Sequence, residues 1–302
     1  MNDQGDVGGG RTVVGGRDQG RVGGGREVDI DQGRVGGGRE RLVIVDSPAA
    51  ATVAAAAHLT HSLAAAVAAR GRADWATTGG SMAPGIYREL VDTPIHREIP
   101  WSAVHVWWGD DRFVPRDLPL SNVKPLDDIL FDMAGHEEGT AGGHSDLALP
   151  VTNLHPFRSG EAIGASRDAA SVARRMVTEL VAEGVATADG FPVFDVLMLG
   201  VGGDGHILSV FPGSPAFDAT DWALAIPAPT HIEPHVARVT MHPGVVPVAR
   251  DVLVVVTGAG KAEVLAQILG TVRDERRWPA QLARHERATW IVDEAAAAQL
   301  PR

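Results

Sequence analysis

The 302-residue chain contains no cysteine, a single tyrosine and only 5% aromatic residues. Without cysteine there are neither disulfides nor thiolate metal ligands, which fits a cytoplasmic protein. No G-x-S-x-G is present, which argues against an acyl-enzyme serine hydrolase of the α/β-hydrolase type. No H-E-x-x-H or other tight ligand spacing occurs, so no metal is expected. No lysine sits in an apolar strand where a Schiff base would be built. No run reads as long and apolar enough to span a bilayer, and no membrane partner is expected. The Ala-rich stretch Ala49–Ala69 is interrupted by His58, Thr60, His61 and Ser62 and reads as a helix of a soluble domain. Basic charge is also short: 27 Lys and Arg against 38 Asp and Glu give a net charge of −11 at pH 7. That balance disfavours nucleic acid as a partner. A small anionic substrate is still compatible with it if the site is locally positive.

What the first forty residues do have is glycine and repetition. The ten residues Asp18–Glu27 recur as Asp31–Glu40, and a weaker copy starts at Asp3. Residues 1–40 hold fourteen of the 36 glycines and no aromatic residue. Such a tract buries too little apolar surface to offset its ordering entropy, and it is expected to be disordered. Its six arginines are matched by seven acids, which disfavours an RNA-binding arm. A mis-assigned upstream start accounts for the tract at least as well. It lacks the apolar core of a signal peptide. Residues 41–302 then form one large α/β domain.

Within that domain Leu42–Val45 reads as a strand. Ser47 is placed to cap a long helix Pro48–Arg70, with Gly71 just past its end. Further strands are expected at Trp75–Thr78, Ala103–Trp108, Phe194–Leu199, Trp222–Ile226, Val236–Met241, Val252–Val256 and Thr289–Val292. Helices are expected at Pro84–Val91, Gly160–Glu183 and Ala259–Leu269, with a closing helix capped by Asp293. The region from Pro115 to His155 reads as loop-rich. Strands alternate with helices, which predicts a three-layer αβα, mostly parallel, doubly wound (Rossmann-like) sheet in a single domain.

The run from Phe194 to Leu199, followed by Gly200-Val201-Gly202-Gly203-Asp204-Gly205-His206, is the most informative segment. It predicts a strand buried on both faces that ends in a glycine-rich corner. Open α/β sheets bind ligands at that end of their strands. The glycines also satisfy G-x-G-x-x-G, but Phe211-Pro212-Gly213-Ser214-Pro215 stops any helix before two turns, which disfavours a dinucleotide. No cofactor is expected. His206, on a loop beside glycines and an acid, is a general-base candidate, and none of the other eleven histidines has a comparable setting. In an extended loop Asp204 and His206 would point to opposite sides.

Three further segments stand at strand ends. Gly79-Gly80-Ser81, ahead of a helix begun by Pro84, suits a phosphate, although a plain turn looks the same. Asp110-Asp111-Arg112 offers a guanidinium that forks onto phosphate or pairs with a neighbouring aspartate. Trp107 and Trp108 read as core. Gly260-Lys261 opens a helix after a buried strand, with Val255 where a Walker A loop needs glycine. Lys261 there is either a point charge for a phosphate or a solvated lysine.

Taken in order, these segments resemble the 6-phosphogluconolactonase family, within the larger group that includes glucosamine-6-phosphate deaminase and ribose-5-phosphate isomerase. The resemblance runs from about Leu42 to the C-terminus. It rests on Gly79-Gly80-Ser81 with Pro84, Trp108 to Arg112 with Val114-Pro115 and Ser121-Asn122, Gly200 to His206 with Ser209 and Phe211-Pro212-Gly213, Arg238-Val239-Thr240, and Gly260-Lys261-Ala262. Deaminases share Asp-Gly-His but typically continue Phe-Asn-Glu-Pro. Two departures stand out: the family usually has Asp-Glu-Arg at Asp110-Asp111-Arg112, and its proline commonly falls two residues after the serine, where Ala83 stands.

The resemblance implies hydrolysis of 6-phospho-D-glucono-1,5-lactone to 6-phosphogluconate, the second step of the oxidative pentose phosphate pathway. It implies His206 as the base, with Asp204 beside it, and Gly202 and Gly203 N–H groups on the oxyanion. Gly79, Gly80, Ser81, Asp110, Arg112, Lys261 and, more weakly, Arg238 are expected around the phosphorylated substrate. The expected partner is that small sugar phosphate alone, bound by a monomer or dimer. A hexosamine-phosphate deaminase or isomerase would need further acids near the histidine. A non-catalytic sugar-phosphate sensor would need a DNA-binding domain that the glycine tract cannot form.

Overall fold

A computed structural model describes residues 26–29, 41–131, 147–270 and 272–300. Strand β2 (Arg41–Val45) leads into helix α1 (Pro48–Arg70). Ser47 is extended there, and its side chain accepts the Ala50 N–H, an N-cap with Pro48 just inside. The helix closes where Gly71 N–H bonds Val67 O at 2.7 Å. Ala51, Ala55, Leu59, Leu63 and Ala66 recur every three or four residues and are all buried. By length and composition α1 is, contrary to expectation, long and apolar enough to cross a membrane. Its buried stripe, laid over the central sheet, makes it a core helix.

The chain continues through β3 (Ala73–Thr77), α2 (Ala83–Asp92), β4 (Val104–Trp108), β5 (Asp110–Arg112), α3 (Lys124–Leu130) and β6 (Leu154–His155). Then come α4 (Ser159–Gly164), α5 (Ala169–Ala182), a small hairpin of β7 (Thr187–Ala188) and β8 (Phe191–Pro192), and β9 (Val196–Leu199). Next are β10 (Ala223–Ile226), β11 (Arg238–Met241), α6 (Val245–Val248), β12 (Val252–Val256), α7 (Ala262–Gly270) and β13 (Ala288–Asp293). With β1 (Arg26–Asp29) at one edge, the main sheet runs β1-β2-β13-β12-β9-β3-β4-β6. From β2 to β6 every pairing is parallel. Every residue of β9 and β12 is buried, as an apolar run covered on both faces requires. Trp75, Trp107, Trp108 and Trp290 are fully buried, so Trp107 and Trp108 are core as read.

Several expectations need correction. The strands at 223–226 and 238–241 do not join the parallel sheet; with β5 they form a separate antiparallel one, in the order β10-β11-β5. The segment between β10 and β11 carries no helix and is too short for the crossover that parallel pairing needs. The long helix read over 160–183 is two helices. Ser166 has φ of 54°, and the Asp168 side chain then caps α5 by accepting the Ser171 N–H. After Asp293 the chain forms turns rather than a helix, because one carboxylate caps Ala296 and also accepts the Gly258 N–H. In the region read as loop, α3 is pinned by Arg116, whose guanidinium takes both oxygens of Asp127.

Of the tract read as disordered, Arg26–Asp29 forms a strand antiparallel to β2, with Arg26 opposite Ile44 and Asp29 opposite Arg41. Four extended residues suffice to cover an otherwise unpaired edge, whatever their side chains. The remainder of residues 1–40 lies outside the described residues.

Leu63 is fully buried at the centre of the α1 stripe. Leu63→Ala is expected to lower the unfolding free energy by about 2–5 kcal/mol. Val53→Ala, on the exposed side of the same helix, should change it by less than about 0.5 kcal/mol. Urea titration of the two variants compares them directly.

Candidate active site

The chain order along the main sheet reverses between β3 and β9: β4 and β6 lie on one side, β12 and β13 on the other. Loops diverge at such a point and leave a crevice at the carboxyl ends of the strands. Here it is a cleft of about 260 Å³. The β3 loop contributes Gly79, Gly80 and Ser81, and the β9 loop contributes Gly202, Gly203 and His206. Asp110, Arg112 and Arg238 enter from the antiparallel sheet, and Lys261 from the loop after β12. Of the residues expected to form the site, only Asp204 does not line the cleft; it stands behind His206.

Asp204 and His206 do meet, contrary to the extended-loop expectation. Gly205 takes φ of +85°, a left-handed conformation that costs glycine little and folds the two side chains onto one side. His206 Nδ1 lies 2.5 Å from Asp204 Oδ1. The second oxygen, Oδ2, faces His231 Nε2 at 2.9 Å. His231 was missed by sequence reasoning: it lies 27 residues on, in a segment without any motif. Burial alone would push the Asp204 carboxyl up. Hydrogen bonds from His206 and His231, and the charge of His206, more than offset this and hold it well below the ordinary carboxylate range. An ionised carboxylate only accepts, so Nδ1 of His206 bears a hydrogen, and in the neutral ring Nε2 is the nitrogen with the lone pair. Phe211 supports the ring, with centroids 4.7 Å apart.

Gly202 and Gly203 differ. Gly202 N–H donates to the His206 carbonyl at 2.8 Å and is therefore not available to a ligand. Gly203 N–H has no such partner among the described residues.

Arg112 does not pair with its neighbouring aspartates. Its Nη1 donates to Asn122 Oδ1 at 2.5 Å and to Leu120 O at 3.0 Å. Asp110 accepts from Ser209 Oγ at 2.5 Å and from the Asn122 amide. Asp111 accepts from Ser121 Oγ and from the backbone N–H groups of Asn122 and Arg112. Burial pushes the Asp111 carboxyl up to about 7 against those bonds, with Asp110 adding to the rise. Asn122 thus organises both acids and the guanidinium; its signal in the sequence was its place in the quoted Ser121-Asn122 pair. Arg238 lies directly across the ladder from Arg112. Its guanidinium rests over Phe211, 5.5 Å from the ring centre. Arg112 Nε and Arg238 Nε are buried without a hydrogen-bond partner among the described residues. Lys261 Nζ donates to Val201 O at 2.8 Å. Burial pulls its pKa down, with Asp204 opposing. Met82 lines the cleft, and its sulfur accepts from Thr257 Oγ1 at 3.0 Å.

Three cations around one cleft, with unpaired N–H donors, suit a dianionic group. Among the described residues one other cluster has metal-ligand spacing: His105, His155 and Glu183, with ligand atoms within 4.8 Å. Its two imidazoles are stacked with planes 5° from parallel and share a hydrogen bond of 3.0 Å. Arg72 already pairs with Glu183 at 3.5 Å. That cluster is self-satisfied and lies away from the cleft.

The profile of the glucosamine-6-phosphate isomerases/6-phosphogluconolactonase family matches residues 46–291. The chain belongs to this family. The 6-phosphogluconolactonase of Mycobacterium tuberculosis is 33% identical over 250 residues, spanning 82% of this chain and 93% of that protein. The Streptomyces coelicolor 6-phosphogluconolactonase is 33% identical over 253 residues, spanning 82% and 90%. Among solved structures, the 6-phosphogluconolactonase from Trypanosoma cruzi superposes with a TM-score of 0.71 at 26% identity, covering 86% of this chain and 97% of that one. The mostly parallel sheet flanked by helices is the architecture of the family.

Because the folded-state pKa of Asp204 is depressed, its contribution to stability is complete above the unfolded carboxylate value of 3.8 and is lost as pH falls below it. Asp204→Asn is expected to be less stable than the unaltered chain at pH 7, with the gap closing as pH drops below about 4. Urea unfolding at the two pH values reads the difference.

Proposed function

We propose that the chain hydrolyses 6-phospho-D-glucono-1,5-lactone to 6-phospho-D-gluconate, the second step of the oxidative pentose phosphate pathway, in the cytoplasm. One observation carries the reading: His206, oriented by an ionised Asp204, shares a cleft with three cationic side chains. Membership of the family, and relatives named for this activity, support the choice of substrate.

In this reading water lies against His206 Nε2. As the water oxygen attacks the lactone carbonyl, its proton passes to that nitrogen and Asp204 stabilises the resulting imidazolium. The carbonyl oxygen becomes an oxyanion, for which Gly203 N–H is the donor of the expected pair still available. Collapse re-forms the carbonyl and breaks the bond from C1 to the ring oxygen. His206 returns the proton to that oxygen, which leaves as a hydroxyl. A lactone carbonyl is reactive enough that one positioned base suffices, without a covalent intermediate.

The phosphate lies on the Gly79-Gly80-Ser81 turn, against the N-terminus of α2, where backbone N–H groups and the helix dipole favour an anion. Arg112, Lys261 and Arg238 supply the charge. Asp110 does not face the phosphate in this reading; its bonds to Ser209 and Asn122 brace the arginine. Phosphate binding far from the reacting carbonyl holds the ring in place, so it supports turnover as well as affinity.

His206→Ala and His206→Asn are each expected to lower kcat by about 10²–10⁴-fold. Arg112→Ala should raise KM and lower kcat together. Freshly made lactone, with release of 6-phosphogluconate followed above the spontaneous rate, measures both; full turnover in both His206 variants would refute the mechanism. Residues 41–302 are proposed as the catalytic unit, and deletion of residues 1–40 should leave kcat unchanged in the same assay.

A further inference from the structure

We propose that His231 is a positioning residue for His206, acting through the carboxylate the two share; this rests on reading His206 as the base. A carboxylate held at one oxygen can still swing about its Cβ–Cγ bond, whose torsional profile is broad. Asp204 is held at both. His206 Nδ1 donates to Oδ1 at 2.5 Å, and His231 Nε2 donates to Oδ2 at 2.9 Å. With Oδ2 tethered, Oδ1 stays on His206 and the imidazole cannot tilt away from the cleft.

The loop between β10 and β11 brings His231 to this position. Its ring meets that of Phe211 in a T-shaped contact, with centroids 5.5 Å apart and planes at 87°. The same phenylalanine supports His206. The neighbouring residue, Ile232, lines the cleft. His235, on the same loop, pairs instead with Glu233, so among the loop's titratable side chains His231 is the one that turns to Asp204. His231 is half exposed, with a side-chain accessibility of 51%. A pair that open to solvent adds little to stability. Its effect is therefore expected in orientation and turnover rather than in melting temperature.

The test compares the full-length unaltered protein with His231→Ala and His231→Gln. Glutamine retains an N–H donor near the position of Nε2. His231→Ala is expected to lower kcat roughly tenfold, short of the loss of the base itself, with KM unchanged. His231→Gln should recover most of that loss. Proton NMR without substrate gives a second readout, the downfield Nδ1 proton of His206. It should move upfield or broaden in His231→Ala and return in His231→Gln.

Unchanged kcat in His231→Ala overturns the proposal. So does an equal loss in both variants, because the donor would then be irrelevant, or a loss of kcat with an unmoved proton. If the unaltered protein shows no lactonase activity, the functional reading fails, and the resonance alone decides whether His231 holds the ring.

Discussion

The cleft depends on a carboxylate that stays ionised while half buried. Desolvation works against Asp204 and on its own would raise its pKa. Two imidazoles prevent that. The consequence for His206 is directional as well as electrostatic: a permanent acceptor at Nδ1 makes Nε2 the basic nitrogen. If Asp204 were neutral it could donate, and the tautomer of His206 would no longer be defined. The left-handed turn at Gly205 therefore has a chemical effect, because it converts an acid and a histidine two residues apart into a bonded pair.

A second constraint lies in the antiparallel sheet. Like charges directly opposite on neighbouring strands repel, yet Arg112 and Arg238 occupy such a pair. The cost is offset locally. Phe211 accepts the Arg238 guanidinium over its face, Asn122 and Leu120 hold Arg112, and Asp110 and Asp111 lie within the same buried network. The two acids bond to Ser209, Ser121 and Asn122 rather than to the guanidinium. Each arginine is thus left with a buried donor unpaired, and a bound phosphate would supply both the missing acceptor and the missing charge. A chain carrying −11 overall concentrates positive charge where an anion would lie.

Local signals carried much of the fold. Ser47 and Gly71 bound α1 as read because capping depends on adjacent residues, and β12 is bounded by the run of valines itself. The glycine corner after β9 and the residues around it were legible because motif and strand end coincide. What was hidden depends on separation in sequence or on competition between local motifs. His231 bears no motif and acquires its role only when the β10–β11 loop folds over the β9 loop. The second sheet was invisible to periodicity, since short apolar strands look alike whether they pair in parallel or not. The break at Ser166 and the lost closing helix turn on caps that periodicity alone does not weigh: Asp168 starts a new helix, while Asp293 bonds a distant loop as well as its own turn. The hydrogen bond of Gly202 follows from the curl of its loop, which its sequence permits but does not specify.

The two sheets are joined at Gly109. Gly109 N–H donates to Thr77 O of the parallel sheet, and its carbonyl accepts from Met241 N–H of the antiparallel one. A Cβ at this position would lie 2.6 Å from the Leu208 side chain, in the loop that carries His206. A side chain at this position would require Leu208 to shift. Ser209 completes the joint, donating through its hydroxyl to Asp110 and through its N–H to Thr240. His206 is thus carried by one sheet and two of the cations by the other. The spacing between them is set by this contact, so any shift at Gly109 or Ser209 would change the distance between His206 and the two arginines across the cleft.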